Sequence, residues 1–330
     1  MAKPMRVLVL LAALLLAGCT PTQPAATAPT TAATAADAPA ATVTAALPPA
    51  QPTTKPTIPV TPPTQAAQTP SPEAKRPSKA APQPVDFTTE DGVQLQGLYY
   101  PAAVSPAPLV VLMHQYTYDQ HQWDAVAPWL QNRPGELTSW QDVPAGFQPQ
   151  VKSPWLDASW FPPVPADLKV AVFTFTFREC EGGCKVELRS EWLRDALAAV
   201  EKAASLPGVD ATKIILVGTS IGADGAADTC LLFNKDRGGC LGALSVSPGG
   251  YLTLPFEDTA RELTGMGVPV QCFASKSDRP AAAACGGVSS DNYRATILPG
   301  AAHGTQMIDP ALETTPLHAL LQLLGQVLNP

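Results

Sequence analysis

The chain has 330 residues, 37 of them Pro, with 15% charged and 45% hydrophobic side chains. Residues 20–84 hold 16 Pro, 18 Ala and 14 Thr, so 48 of 65 positions lack the large apolar side chains a core requires, and a single domain remains at 85–330. That domain carries 15 basic and 26 acidic residues; with no basic stripe to neutralise phosphates, nucleic acid is excluded as a partner.

Residues 1–18 begin with Lys3 and Arg6, continue as an apolar run over 7–16 and close on Ala17-Gly18, the pattern of a secretory signal. The run is too short to span a bilayer comfortably. Leu16-Ala17-Gly18-Cys19 resembles the bacterial lipobox, which implies cleavage before Cys19, diacylglycerol on its thiol and an acylated new N-terminus. Two or three acyl chains anchor firmly where one would be marginal. The expectation is therefore an extracytoplasmic lipoprotein, facing the cell surface or the periplasm, whose partner through Cys19 is the membrane. Residues 19–84 then read as a disordered tether alternating polyproline II with coil.

From residue 86 strands alternate with helices. Residues 93–100 (VQLQGLYY) have the period of a strand, and 109–113 (LVVLM) form a continuous apolar run, as for a strand buried on both faces. A helix is predicted at 122–131, a strand at 170–177 (VAVFTFTF), and a helix at 190–205 with Ser190 as N-cap and Leu193, Leu197, Val200 and Ala204 inward. Strands follow at 214–217, 241–246, 268–274 and 295–298. A closing helix at 315–328 places Leu317, Leu320, Leu321, Leu324 and Leu328 on its apolar side. The alternation predicts a mostly parallel, doubly wound α/β sheet. Residues 132–168 interrupt it as a Pro-rich insert with Trp140, Phe147, Trp155, Trp160 and Phe161, either a roof over a pocket or a loop pinned by its aromatic residues.

Beyond Cys19, six cysteines remain, an even number that favours disulfides in an exported protein. They fall into three close pairs along the chain, giving Cys180–Cys184, Cys230–Cys240 and Cys272–Cys285. No His lies close in sequence to Cys180 or Cys184, so a zinc site is not expected there.

Gly218-Thr219-Ser220-Ile221-Gly222 matches the Gly-x-Ser-x-Gly elbow and lies between a buried strand and a helix, the context that gives a short pattern meaning. Such a turn exposes the Ser220 hydroxyl above the sheet edge and aims the Ile221 N–H at developing negative charge. A serine hydroxyl needs a base, and the base needs an orienting acid. His303 follows a strand in a Gly/Ala-rich loop and suits the base, whereas His318 falls inside the closing helix as a packing or surface residue. Asp278, just past the strand at 268–274, is the candidate acid ahead of Asp291.

With those residues in view the domain resembles an α/β-hydrolase of the dienelactone-hydrolase-like branch, over 86–328. His114-Gln115-Tyr116 after the strand at 109–113 resembles the family's His-Gly-x segment, which implies an oxyanion donor at Tyr116, with Gln115 the alternative, paired with Ile221. His114 is then a structural loop residue. Residues 176–184 occupy the place of the family's Asp-x-Arg-Gly-x-Gly turn, with two Cys that fit a tightening disulfide. Ser220 stands where dienelactone hydrolases use Cys, so that activity is not implied. The expected function is hydrolysis of small-molecule acyl esters without cofactor or metal. A peptidase or amidase, and a surface binding protein reusing the fold, are the rival readings. Gln115, Trp160 and Tyr251 are candidate substrate-binding residues.

Overall fold

The computed structural model describes residues 81–133 and 158–329. The leader, Cys19, the tether to residue 80, and Trp140, Phe147 and Trp155 of the insert lie outside the described residues.

Eight strands form one sheet in the order β1-β2-β4-β3-β5-β6-β7-β8. β1 (Gln83–Thr88) and β2 (Gln94–Tyr100) make an antiparallel hairpin, and β2 runs antiparallel to β4 (Ala171–Phe175). From β4 onward, β3 (Ala107–Met113), β5 (Val209–Thr219), β6 (Cys240–Val246), β7 (Val270–Ser275) and β8 (Tyr293–Leu298) are parallel. This is the α/β-hydrolase fold.

Because side chains alternate across a strand, β3 feeds two cores. Leu109, Val111 and Met113 join the side covered by α2 (Arg189–Ala204), α3 (Ile221–Asp236), α4 (Phe256–Gly265) and α5 (Arg279–Gly286). Val110 and Leu112 face α1 (Val126–Leu130) and α6 (Pro316–Leu328). All five residues are fully buried, which is why the run is apolar without alternation. In α6, Leu317, Leu320, Leu323 and Leu324 are the buried leucines; each contributes about 1.5–3 kcal/mol.

Several elements differ from the sequence expectation. β1 begins at Gln83, inside the segment assigned to the tether, and includes Pro84, which an edge strand tolerates. The helix expected at 122–131 is divided into a 3-10 turn, Gln120–Trp123, capped by the Asp119 side chain, and α1. Ser190 does not cap α2: its hydroxyl bonds to Glu191, and the buried face is Trp192, Asp195, Ala196, Ala199, Val200 and Ala203, turned one position from the leucines. Trp192 decides that rotation because it is the largest apolar side chain on the helix. α4 and α5 were not anticipated.

The structure joins Cys180 to Cys184 in the turn after β4, Cys230 of α3 to Cys240 of β6, and Cys272 of β7 to Cys285 of α5. Among the described residues no helix is long and apolar enough to cross a membrane, and no three His, Cys, Asp or Glu side chains converge as a metal site requires.

Candidate active site

β5 ends at Thr219 and α3 starts at Ile221, leaving Ser220 alone in the turn at φ 53°, ψ −118°. That left-handed conformation costs a residue with a Cβ on the order of 1–3 kcal/mol. The two glycines permit it: a Cβ on Gly218 would strike the Gly222 carbonyl, and one on Gly222 would strike the Met113 carbonyl at the end of β3. The Ser220 N–H donates to the Val246 carbonyl at 2.8 Å, fixing the turn to the end of β6.

Two N–H groups beside this turn are unspent among the described residues. Ile221 opens α3, so its N–H has no intrahelical acceptor. The second belongs to the Gln115–Tyr116 peptide. Its carbonyl accepts from His114 Nδ1 at 2.9 Å and from the Tyr118 N–H at 3.0 Å. Across a trans peptide the Tyr116 N–H points the other way, and it makes no hydrogen bond among the described residues. The Gln115 N–H, by contrast, donates to Gln122 Oε1 at 2.9 Å, which leaves Tyr116 as the available donor of the two. His114 is fully buried; the Phe177 N–H donates to its Nε2 at 3.0 Å, so Nδ1 carries the proton. Burial lowers its pKa to about 4, and the ring is neutral.

Asp278 sits between β7 and α5, and its Oδ2 lies 2.7 Å from Nδ1 of His303. Asp291 is exposed in the turn before β8. The His303 loop is fastened toward the elbow by its next two residues: the Gly304 N–H donates to Ser247 Oγ at 2.9 Å and the Thr305 N–H to Gln115 Oε1 at 3.2 Å. A Cβ on Gly304 would collide with Gln115 Oε1 and lie 3.5 Å from Thr219 Cβ. The residue after His303 therefore packs on the residue before Ser220. His318 is spent elsewhere, bonded to Thr315 in the cap of α6.

Gln115, a candidate substrate ligand by sequence, has a buried side chain that spans Thr117 Oγ1 (3.1 Å) and the Thr305 N–H; it is a strut between the two loops. Gln122 is a second strut, donating to Thr219 Oγ1 at 2.7 Å. Tyr251, four residues past Ser247, is half-buried, with burial and then the charge of Asp278 pushing its hydroxyl up to about 12. Trp160 is 38% exposed in the short 3-10 turn Ala158–Trp160, and its neighbour Phe161 packs on Trp129. A polar groove of about 920 Å³ opens along Gln94, Gln96, Asp119, His121, Arg178 and Glu181; Ser220, Asp278 and His303 do not line it.

The sequence reading passed over Gln122, Ser247 and Asp224. Ser247 has φ 57°, rare outside glycine, and no sequence pattern marks it. Asp224 and Asp228 follow the elbow at helical spacing, a carboxylate pair on one face of a helix whose first eight residues are otherwise apolar, and that contrast was the available signal. The Asp224 carboxylate accepts the Gly249, Gly250 and Tyr251 N–H groups, the shortest at 2.6 Å from Tyr251. It thereby shapes the loop that carries Ser247.

No family model matches the chain, and no curated protein matches it in sequence. Solved structures do. An esterase from Pyrococcus furiosus is 14% identical, over 74% of this chain and 91% of its own, at a TM-score of 0.48. A thermostable carboxylesterase from a metagenomic library is 16% identical, over 75% and 88%, at 0.49. An α/β hydrolase from Penicillium is 13% identical, over 76% and 100%, at 0.49.

Proposed function

We propose that the chain is a membrane-tethered, extracytoplasmic serine hydrolase that cleaves acyl esters, similar to the dienelactone-hydrolase-like branch but with a serine nucleophile. One observation carries the reading: Ser220 occupies a strained elbow whose flanking residue Thr219 packs against the loop of a His303–Asp278 pair at 2.7 Å.

In this mechanism His303 Nε2 takes the Ser220 proton as Oγ attacks the acyl carbon, and Asp278 holds Nδ1–H and steadies the imidazolium. The oxyanion is received by the Tyr116 and Ile221 N–H groups, neither of which has another acceptor among the described residues. His303 then protonates the departing alcohol. Water, deprotonated by the same imidazole, releases the acid. In this reading Tyr251 and Trp160 are the candidate substrate-binding residues, and the steps use the catalytic groups and water alone.

Three disulfides support an oxidising compartment, and the lipid on Cys19 with the 19–84 tether supplies the anchor. Labelling cells with a fatty-acid analogue should mark the wild type and not Cys19→Ser. For the chemistry, Ser220→Ala should lose turnover of p-nitrophenyl esters by about 10⁴-fold or more, and a fluorophosphonate should label Ser220. Full turnover in Ser220→Ala would sink the reading. Esters of graded acyl length then map the pocket.

A further inference from the structure

We infer that the disulfide-closed turn Cys180–Cys184 is the clamp that holds the oxyanion donor at Tyr116, so that the catalytic rate depends on the oxidation state of this one bond. The inference rests on the catalytic reading above.

Three consecutive residues of the turn grip the donor segment from behind. The Cys184 N–H donates to the Tyr116 carbonyl at 2.8 Å. Gly183 lies flat on the Thr117 peptide, where a Cβ would come within 3.1 Å of the Thr117 oxygen. The Gly182 N–H donates to the Asp119 carboxylate at 2.9 Å. The other end of the turn is anchored in the core: Cys180 is fully buried, the Arg178 N–H is held by Asp195, and the Arg178 carbonyl accepts from Trp192 Nε1. The Tyr116 ring packs edge-on against that same Trp192, with centroids 5.9 Å apart.

The disulfide is the covalent link from the anchored end to the gripping end. Glu179, Gly182 and Gly183 have left-handed φ (59°, 68° and 105°), which is strained only at Glu179, and beside the disulfide the turn is closed by the Gly183 N–H on the Cys180 carbonyl at 2.9 Å and the Lys185 N–H on the Glu179 carbonyl at 3.0 Å. Cys184 is also the one partly exposed cysteine of the six; the other five are at most 2% exposed. A soluble thiol therefore meets this bond first.

The test uses the full chain. Cys180→Ala/Cys184→Ala should lose roughly 10- to 100-fold in kcat, with KM within about threefold, because a donor displaced by about 1 Å acts on the transition state and not on ground-state binding. Cys230→Ala/Cys240→Ala should lower Tm and keep kcat within about twofold of wild type, since that bond touches neither loop. A second measurement avoids folding without the bond. In wild type, a dithiol supplies two electrons and two protons to the bond and closes into its own disulfide; kcat should fall in step with the fraction of Cys180 and Cys184 that alkylation of withdrawn samples finds reduced, and should return when the unalkylated enzyme is reoxidised. Unchanged kcat in the reduced enzyme or in the folded double variant overturns the clamp. Ser220→Ala separates the two failures: if it stays active the catalytic reading fails, and if it is inert while the reduced enzyme is fully active only the clamp fails.

Discussion

Two helices on the same face of the sheet bury aspartates in opposite ways. On α2, Asp195 is fully buried beside a cation: Arg178 reaches it at 2.7–2.8 Å through Nε and Nη2 and holds Asp91 at 2.6–2.9 Å through Nη1 and the shared Nη2. Arg178, with Thr89, keeps the Asp91 carboxyl well below the usual carboxylate range. On α3, no cation bonds to Asp224 or Asp228 among the described residues. Asp224 has three backbone N–H donors, and Asp228 has the Thr259 hydroxyl of α4 at 2.9 Å on Oδ1 and nothing on Oδ2. Burial, followed for Asp228 by the charge of Asp224, pushes the two carboxyls up to about 7 and about 8. Glu257 adds a further push on Asp224. Burial also raises the Asp195 carboxyl above its ordinary value, against the pull of Arg178, so the contrast lies in the matched charge beside Asp195 and its absence beside Asp224 and Asp228, which retain a proton instead.

The sharpest way to break this contrast is to remove the matched charge. Arg178→Met leaves Asp195 buried and uncompensated and should cost about 3–5 kcal/mol. Urea unfolding at neutral pH reads the loss, which should shrink toward pH 4 as Asp195 takes up a proton; a loss below about 1 kcal/mol at neutral pH would show that Arg178 is not the compensating group.

Asp228→Asn tests the other helix and should act with the opposite sign. A carboxyl raised in the folded state adds stability that is complete below its unfolded pKa near 4 and is lost as pH rises through the folded value, here about 8. The substitution removes that loss. It should stabilise by up to about 5 kcal/mol at pH 8, the value for a carboxyl raised from about 4 to about 8, and by nothing at pH 4, so equal effects at both pH values would sink the retained proton. Smallest is Thr259→Val, which deletes the hydroxyl bond to Asp228 and should cost about 1 kcal/mol. Its signature in calorimetry is a loss that grows from pH 4 to pH 8, because the bond favours the ionised carboxylate.

The legible parts of the fold are those where chemistry and period coincide. The runs at 109–113 and 214–217 read as doubly buried strands because no polar face is needed there, and Gly218-Thr219-Ser220-Ile221-Gly222 marks the elbow because backbone meets backbone at both glycines. Asp278 and His303, 25 residues apart, are brought into one hydrogen bond by strands whose ends share an edge of the sheet, a placement readable from strand order alone. What escaped is set by tertiary context. β1 hides behind Pro84, the small alanines of α2 conceal which face Trp192 selects, and Asp224 and Asp228 look like surface residues until α3 is seen to be enclosed along its length. The struts Gln115, Gln122 and Ser247 are ordinary polar residues whose role exists only once three loops meet.

The β1–β2 hairpin at the outer edge has a mechanical consequence. The chain enters the sheet at Gln83, opposite Tyr99 at the open end of the hairpin, and β1 pairs with no strand but β2. Tension applied through the N-terminal chain is thus delivered to a strand that can unzip one residue pair at a time. β4 and β3 still stand between β2 and the strand leading to Ser220, and the strands leading to Asp278 and His303 lie farther off. A pull on the N-terminal chain would therefore act first on the β1–β2 pairing, at the edge of the sheet opposite the strands that lead to Asp278 and His303.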